Sequence, residues 1–177
     1  TLFWISCVLN IAWIVTFSYV LVEMSVLFIL GFVITLSMIL MKLMEIREGK
    51  RWVLPLSFGL YAGWLTIATV VNIAAALVKM QWNRFGIADQ AWGIIILIIA
   101  VFLVIGIQLK NRNAAYPLPV AWAYFGIFMF LKSPAGFKGE YGLLQAVALV
   151  GMIVLTGGAA IQLYRNRFSV LPSSSID

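Results

Sequence analysis

Charge, histidine and cysteine are all scarce in this chain of 177 residues. Only 10% of the residues are charged, whereas a typical water-soluble domain has about 25%. The absence of histidine removes the commonest protein ligand for metals and the commonest proton shuttle. The single cysteine, Cys7, excludes a disulfide within the chain. With 64% hydrophobic residues and a mean hydropathy of +1.07, the composition indicates a membrane protein.

Charged side chains are also missing from the middle of every long apolar segment. Ion pumps, proton-coupled transporters and voltage sensors need such groups within the membrane. A hydrolase needs a nucleophile beside a base, and Cys7 has no base near it in the sequence. We therefore expect no catalytic residue, no metal site and no enzymatic activity. The net charge of +6 comes from basic residues in short loops, where they orient a membrane protein, so we expect no nucleic-acid partner.

Six apolar segments are predicted to be helices, and they cover residues 2–22, 25–44, 53–79, 91–110, 117–132 and 141–164. Since about 20 helical residues cross a hydrocarbon core of roughly 30 Å, the sequence predicts an all-α, polytopic transmembrane helix bundle. The first two segments are separated only by residues 22–25. We expect a tight hairpin there, with Glu23 at the water boundary and Ser25 as N-cap. The tail after Arg165 is expected to be frayed.

Basic residues are distributed unequally between the two sides of the predicted bundle. Eight lie on the side that holds both ends of the chain, and four lie on the other side. By the positive-inside rule, both termini are predicted on the cytoplasmic side of a bacterial cytoplasmic membrane, or on the equivalent side of an organelle membrane. The first set is Lys42, Arg47, Lys50, Arg51, Lys110, Arg112, Arg165 and Arg167; the second is Lys79, Arg84, Lys132 and Lys138.

The sixth segment is rich in small residues, which let helices approach closely. This pattern predicts tight packing within the bundle, with a homodimer interface as the alternative. The residues are Ala148, Gly151, Gly157, Gly158, Ala159 and Ala160.

Polar and aromatic side chains recur along the third segment at helical spacing. Trp64, Ala68 and Asn72 are four residues apart, and Tyr61 precedes Trp64 by three, so all four fall on one helix face. The first segment carries Asn10 and Trp13, and we expect it to run parallel to the third, with Asn10 at the depth of Trp64. Aromatic rings with a few polar groups are typical of small-molecule pockets. The alternative is an interhelical hydrogen bond for each asparagine and core packing for each tryptophan.

These residues resemble a known family. The sequences LNIAW at 9–13 and YAGWLTIATVVN at 61–72 are similar to the LNxxW and YxxWxxxATxxN patterns in the third and fifth helices of the translocator protein family (TspO and the mitochondrial benzodiazepine receptor). The likeness is greatest to its larger bacterial members, the tryptophan-rich sensory proteins, in which a proline begins the fifth helix, as Pro55 does here. Leu60 departs from the shorter members, which have proline before the tyrosine. The specific motifs cover residues 5–77, while residues 90–164 share only hydropathy and helix count.

The resemblance implies a pocket for tetrapyrroles, sterol-like lipids or benzodiazepine-type drugs. It implies that residues 1–79 are equivalent to family helices 3–5 and that residues 80–177 form three additional helices and a tail. The tryptophan-rich stretch of the family's first two helices has no match, and the chain starts at Thr1. We therefore expect an N-terminally incomplete form of an eight-helix protein.

The function expected from this resemblance is non-enzymatic binding or sensing of a flat apolar ligand such as a porphyrin or other tetrapyrrole. Trp13 and Trp64 would stack on it, Asn10 and Tyr61 would orient it, and Ala68 would provide clearance. Asn72 would lie at the end of the pocket. The alternative is an accessory subunit that packs against a larger membrane complex. A facilitator for a neutral solute is less favoured, since no discontinuous helix is evident.

Overall fold

The computed structural model describes residues 1–45 and 52–172, and most of them lie in helices joined by turns and loops. Over these ranges there is no strand, and the prediction of an all-α bundle is confirmed. A short 3-10 turn covers Arg84–Gly86. The helices are α1 Leu2–Ser18, α2 Val22–Glu45, α3 Val53–Lys79, α4 Asp89–Asn111, α5 Leu118–Lys132 and α6 Gly142–Arg165.

Four of these helices are long and apolar enough to cross a membrane. They are α2, α3, α4 and α6, whose spans have 22 to 27 residues. The other two are shorter, with 17 residues in α1 and 15 in α5. At about 1.5 Å per residue they are roughly 25 and 22 Å long, less than a hydrocarbon core of about 30 Å. The helix α1 ends at the turn of residues 19–21, and α5 begins after the loop of residues 112–117.

The predicted hairpin between the first two helices is present, but its turn comes earlier than expected. Residues 19–21 form it, with Val20 in the left-handed region at φ 61°. Because α2 already begins at Val22, Ser25 lies inside its first turn, and its hydroxyl donates to the carbonyl of Val22 at 2.7 Å. The prediction of Ser25 as N-cap is therefore wrong. Glu23 is exposed at this end of the bundle, as predicted.

The helices α1 and α3 run parallel. The ammonium group of Lys79, the last residue of α3, donates to the carbonyl of Val20 at 2.7 Å and to Oε2 of Glu23 at 2.9 Å. The end of α3 therefore meets the α1–α2 turn, which is where α1 also ends.

The order of the helices in space differs from their order in the chain. Each helix packs mainly on its neighbours in the series α1, α2, α3, α5, α6 and α4. One hydrophobic core runs through the series, from Phe32 and Leu65 to Tyr124 and Leu155. The core is continuous across residue 79, and the division of the chain into two parts there remains a prediction.

The small residues of α6 are used for packing inside the chain. The ring of Tyr124 fills the space that a side chain on Gly151 would need, and its hydroxyl donates to the carbonyl of Leu97. Ala148 and Leu155 are fully buried beside it. Close helix packing is therefore observed, while the homodimer remains a prediction.

The chain after α6 departs from expectation. Residues 166–170 are packed and hydrogen-bonded: Asn166 is buried, and the carbonyl of Val170 accepts from the backbone N–H of Ala114 at 2.9 Å. The prediction of a frayed tail is wrong for this stretch, because Asn166 and Val170 complete the hydrogen bonds of a neighbouring loop. Residues 173–177 and the basic residues Arg47, Lys50 and Arg51 lie outside the described ranges.

Candidate functional site

Three of the four residues predicted on one face of α3 are at least partly exposed. Trp64 is 50% exposed and Tyr61 39% exposed, and Ala68 is half-buried between neighbouring turns. The opposite face, which includes Gly63 and Thr66, is buried. Trp64 therefore faces outward, whereas Tyr61 and Ala68 lie at the edge of the covered face, with Tyr61 against Phe32 of α2 and Ala68 against the core.

Asn72, the fourth residue of the row, lies in a different environment. It is only 2% exposed, and its side-chain amide lies 3.0 Å from the hydroxyl of Ser25. This contact ties α3 to α2 near the α1–α2 turn. Asn72 is thus an interhelical hydrogen-bonding residue at the end of the row, and a contact between it and a ligand remains a prediction.

Asn10, one of the two candidate residues of α1, lies close to the level of Tyr61. Leu9 packs against Gly31 of α2, and Phe32, the next residue of α2, stacks edge-on against Tyr61 with ring centroids 5.6 Å apart. Asn10 is therefore close in depth to Tyr61, and it is half-buried.

The indole ring of Trp13 is packed in the bundle, while its N–H group has no hydrogen-bond partner among the described residues. The side chain is half-buried and packs against the hydrophobic core, and its Nε1 atom is buried. A buried donor without a partner costs free energy, commonly about 1–3 kcal/mol. A ligand acceptor that reached this nitrogen would recover that cost.

Together these residues define what we call the α1–α3 groove. Both α1 and α3 pack on α2 and make few contacts with each other, and the name refers to the surface between them. Its borders carry Asn10, Tyr61, Trp64 and Ala68, and Phe32 lies beneath Tyr61. Within the described ranges no cluster of histidine, cysteine or carboxylate could hold a metal ion. The groove offers aromatic rings, an amide and a phenol, which suit stacking on a flat molecule with one or two hydrogen bonds.

A buried loop lies behind α3, at a place where the sequence shows only basic residues of the kind that orient a membrane protein. Residues 112–117 join α4 to α5, and we call them the α4–α5 loop. Asn113 and Tyr116 are 0% and 1% exposed. The amide of Asn113 donates to the carbonyl of Pro55 at 2.8 Å. The hydroxyl of Tyr116 lies 2.8 Å from that of Thr66, which itself donates to a backbone carbonyl of α3, so Tyr116 is the donor.

Two glycines of α3 make room for this loop. The amide of Asn113 lies 2.5 Å from where a Cβ on Gly59 would be, and a Cβ on Gly63 would overlap the carbonyl oxygen of Tyr116. Gly63 is ten residues, or about 15 Å, from the start of α3. The loop thus enters the bundle deeply before α5 begins, which explains why α5 is short. Irregular backbone at membrane depth is tolerated only when protein buries it or water fills the space.

The spacing of these two glycines is the feature of the sequence that indicates a close contact on this face of α3. Gly59 and Gly63 form a GxxxG pattern, which is typical of close approach between membrane helices. It indicates that another backbone approaches this face of α3. It does not identify that backbone as a loop 50 residues later in the chain.

The fold and the groove define an integral membrane helix bundle with an aromatic groove. A family model described as TSPO-like protein matches residues 1–161. The chain therefore belongs to the TSPO-like family, which is generally non-enzymatic, and the resemblance to the TspO family is confirmed. The match extends beyond the motifs at 5–77 and reaches α6. No curated protein and no solved structure matches the chain.

Proposed function

We propose that this TSPO-like protein is a non-enzymatic membrane binder or sensor of a flat apolar ligand, such as a tetrapyrrole, and that the ligand occupies the α1–α3 groove. The observation that carries the proposal is the outward row on α3. Trp64 is half-exposed beside Tyr61 and Ala68, whereas the rest of that helix level is buried.

The depth of Trp64 supports a ligand contact over a membrane anchor. Tryptophan is enriched in membrane proteins at the two water interfaces. Trp64 is the twelfth residue of the 27-residue α3, so it lies near the middle of the span. An aromatic belt does not explain a half-exposed indole at that depth, whereas a ligand that stacks on the indole ring does explain it.

The proposed roles follow from the positions of the side chains. Trp64 and Trp13 stack on the ligand, Asn10 and Tyr61 orient it, and Ala68 leaves clearance, with Asn72 at the end of the site. Since the chain has no histidine, it lacks the usual axial ligand for an iron porphyrin. The site would therefore recognise the macrocycle itself, and metal-free porphyrin is the appropriate probe.

Ala68→Leu is expected to abolish porphyrin binding and leave the melting temperature unchanged. The added carbons fill the clearance between Trp64 and Asn72, at a position that is half-buried at the edge of the core. The measurements are a protoporphyrin titration and a thermal melt on one preparation. The matched control is Ala75→Leu, two turns along the same stripe, which should retain binding.

A clear fall in the melting temperature of Ala68→Leu would indicate that Ala68 packs against another helix. Overpacking of that kind costs about 1–3 kcal/mol. That result would remove Ala68 from the site.

An accessory subunit of a larger membrane complex is the second candidate function. The same outward row favours it, because Trp64 could pack against a helix of another subunit. Purification in mild detergent distinguishes the two. A monodisperse chain that binds porphyrin supports the ligand site, whereas a stoichiometric partner that protects Trp64 from solvent quenchers supports the accessory role.

We further propose that both termini lie on the cytoplasmic or equivalent side. The prediction is tested in a Cys7→Ser background with one new cysteine at each end of the bundle, Val20→Cys in the α1–α2 turn or Lys110→Cys near the α4–α5 loop. Both positions are exposed. In intact cells, an impermeant thiol reagent should label Val20→Cys and spare Lys110→Cys. The reverse pattern would invert the topology.

A further inference from the structure

Residues 166–170, which follow α6, hold the α4–α5 loop in place, and we call them the strap. The amide nitrogen of Asn166 donates to the carbonyls of Arg112 and Val170 at 2.9 and 3.0 Å. Its amide oxygen accepts from Gln162 at 2.8 Å. The carbonyl of Val170 also accepts from the backbone N–H of Ala114. Asn166 therefore connects α6, the strap and the loop. The loop in turn occupies the space beside Gly59 and Gly63 of α3.

The strap and the loop are joined through strained backbone. Arg112, Arg167 and Phe168 have φ values of 50°, 55° and 62°. Residues with a Cβ rarely adopt this left-handed region, and the conformation persists only where surrounding contacts impose it. The hydrogen bonds of Asn166 are such contacts. The strap is thus held in a conformation that its own sequence does not favour.

Four basic side chains surround this junction. Lys110 and Arg112 flank the end of α4, and Arg165 and Arg167 flank Asn166; all four are exposed. Among the described residues none of them forms a salt bridge, since the two ion pairs found there involve other residues. Like charges held together repel one another, and this repulsion opposes the contact between the strap and the α4–α5 loop. The junction lies at the ends of α4 and α6, which are both membrane spans, so it lies at the level of lipid headgroups.

We propose that this junction is a docking surface for anionic phospholipid headgroups, whose binding holds the strap on the α4–α5 loop. Charge complementarity carries the choice of partner, because clustered basic residues beside a membrane span attract anionic lipids. The headgroups neutralise the repulsion among the four cations. The loop then stays packed against α3. The lipid composition of the membrane therefore determines how stable the packing between the loop and α3 is.

The test is amide hydrogen exchange of the 112–117 peptide, followed by mass spectrometry, in nanodiscs of phosphatidylcholine alone or of phosphatidylcholine mixed equally with phosphatidylglycerol. Exchange should be several-fold slower in the anionic discs. The double variant Arg165→Gln, Arg167→Gln should lose that difference. The matched pair Lys132→Gln, Lys138→Gln, exposed at the other end of the bundle, should keep it. Asn166→Ala should accelerate exchange of the loop in both lipids while an α2 peptide is unaffected.

Equal exchange in the two lipids, or an equal loss of the difference in both charge variants, would overturn the proposal. So would unchanged loop exchange in Asn166→Ala, or acceleration of the α2 peptide together with the loop, since the strap would then not act locally. Inorganic phosphate added to the neutral discs separates free anions from lipids, and full protection by phosphate alone would count against a lipid surface. Because no porphyrin is used, this outcome is independent of the proposed ligand site.

Discussion

Gly63→Ala is expected to destabilise the folded chain by about 3 kcal/mol or more. The new Cβ would overlap the carbonyl oxygen of Tyr116, which is a backbone atom and cannot rotate away. Overpacking a well-packed core typically costs about 1–3 kcal/mol, and this contact belongs at the upper end because the loop and α3 must separate. The measurement is the melting temperature in detergent, together with the monodisperse fraction on size exclusion.

Gly106→Ala is the matched control for that variant. Gly106 also lies within a membrane-spanning helix, and a Cβ there would meet no atom within 4 Å. Its replacement should be neutral or mildly stabilising, because alanine is favoured over glycine in helices by up to about 1 kcal/mol. If Gly63→Ala and Gly106→Ala melted at the same temperature, the close approach of the α4–α5 loop to α3 would be refuted.

Trp64→Ala should weaken porphyrin binding by at least tenfold and leave the melting temperature nearly unchanged. A tenfold loss corresponds to about 1.4 kcal/mol, and an aromatic pair contributes about 0.5–1.5 kcal/mol beyond the area it buries. Since Trp64 is half-exposed, removing its ring leaves little void in the bundle. Binding is followed by the change in porphyrin absorbance, which does not depend on tryptophan emission.

Trp122→Ala provides the control for Trp64→Ala. Trp122 is exposed on α5 and stacks on Phe125 of the same helix. Its loss should leave the porphyrin affinity unchanged. Equal effects of the two replacements would mean that porphyrin partitions onto exposed indoles without a specific groove.

The helices and the outward row could be predicted because both depend on local patterns. Apolar runs of membrane-spanning length gave six helices, and helical spacing placed Tyr61, Trp64 and Ala68 on one face. The parallel directions of α1 and α3 also followed, while the level of Asn10 depends on the contacts that both helices make with α2. The role of Asn72 was open between a ligand contact and an interhelical bond, and its contact is with Ser25.

The α4–α5 loop could not be predicted because its partners are distant in the sequence. Asn113 looked like part of a basic surface loop, yet it is buried against Pro55. The turn between α1 and α2 was predicted at residues 22–25 and is found at residues 19–21, for a related reason. A β-branched residue such as Val20 does not favour a positive φ. Neighbouring contacts impose that conformation, including the hydrogen bond from Lys79 to the carbonyl of Val20.

The most direct test of the groove uses two single-tryptophan chains. Six of the seven tryptophans are replaced by phenylalanine, so that one chain keeps Trp64 and the other keeps Trp122. Metal-free protoporphyrin is titrated into each in the same detergent, and tryptophan emission is recorded. Binding in the α1–α3 groove predicts strong, saturable quenching of Trp64 at one porphyrin per chain and only weak, linear quenching of Trp122. Linear quenching of the same size in both chains would contradict a ligand site on α3.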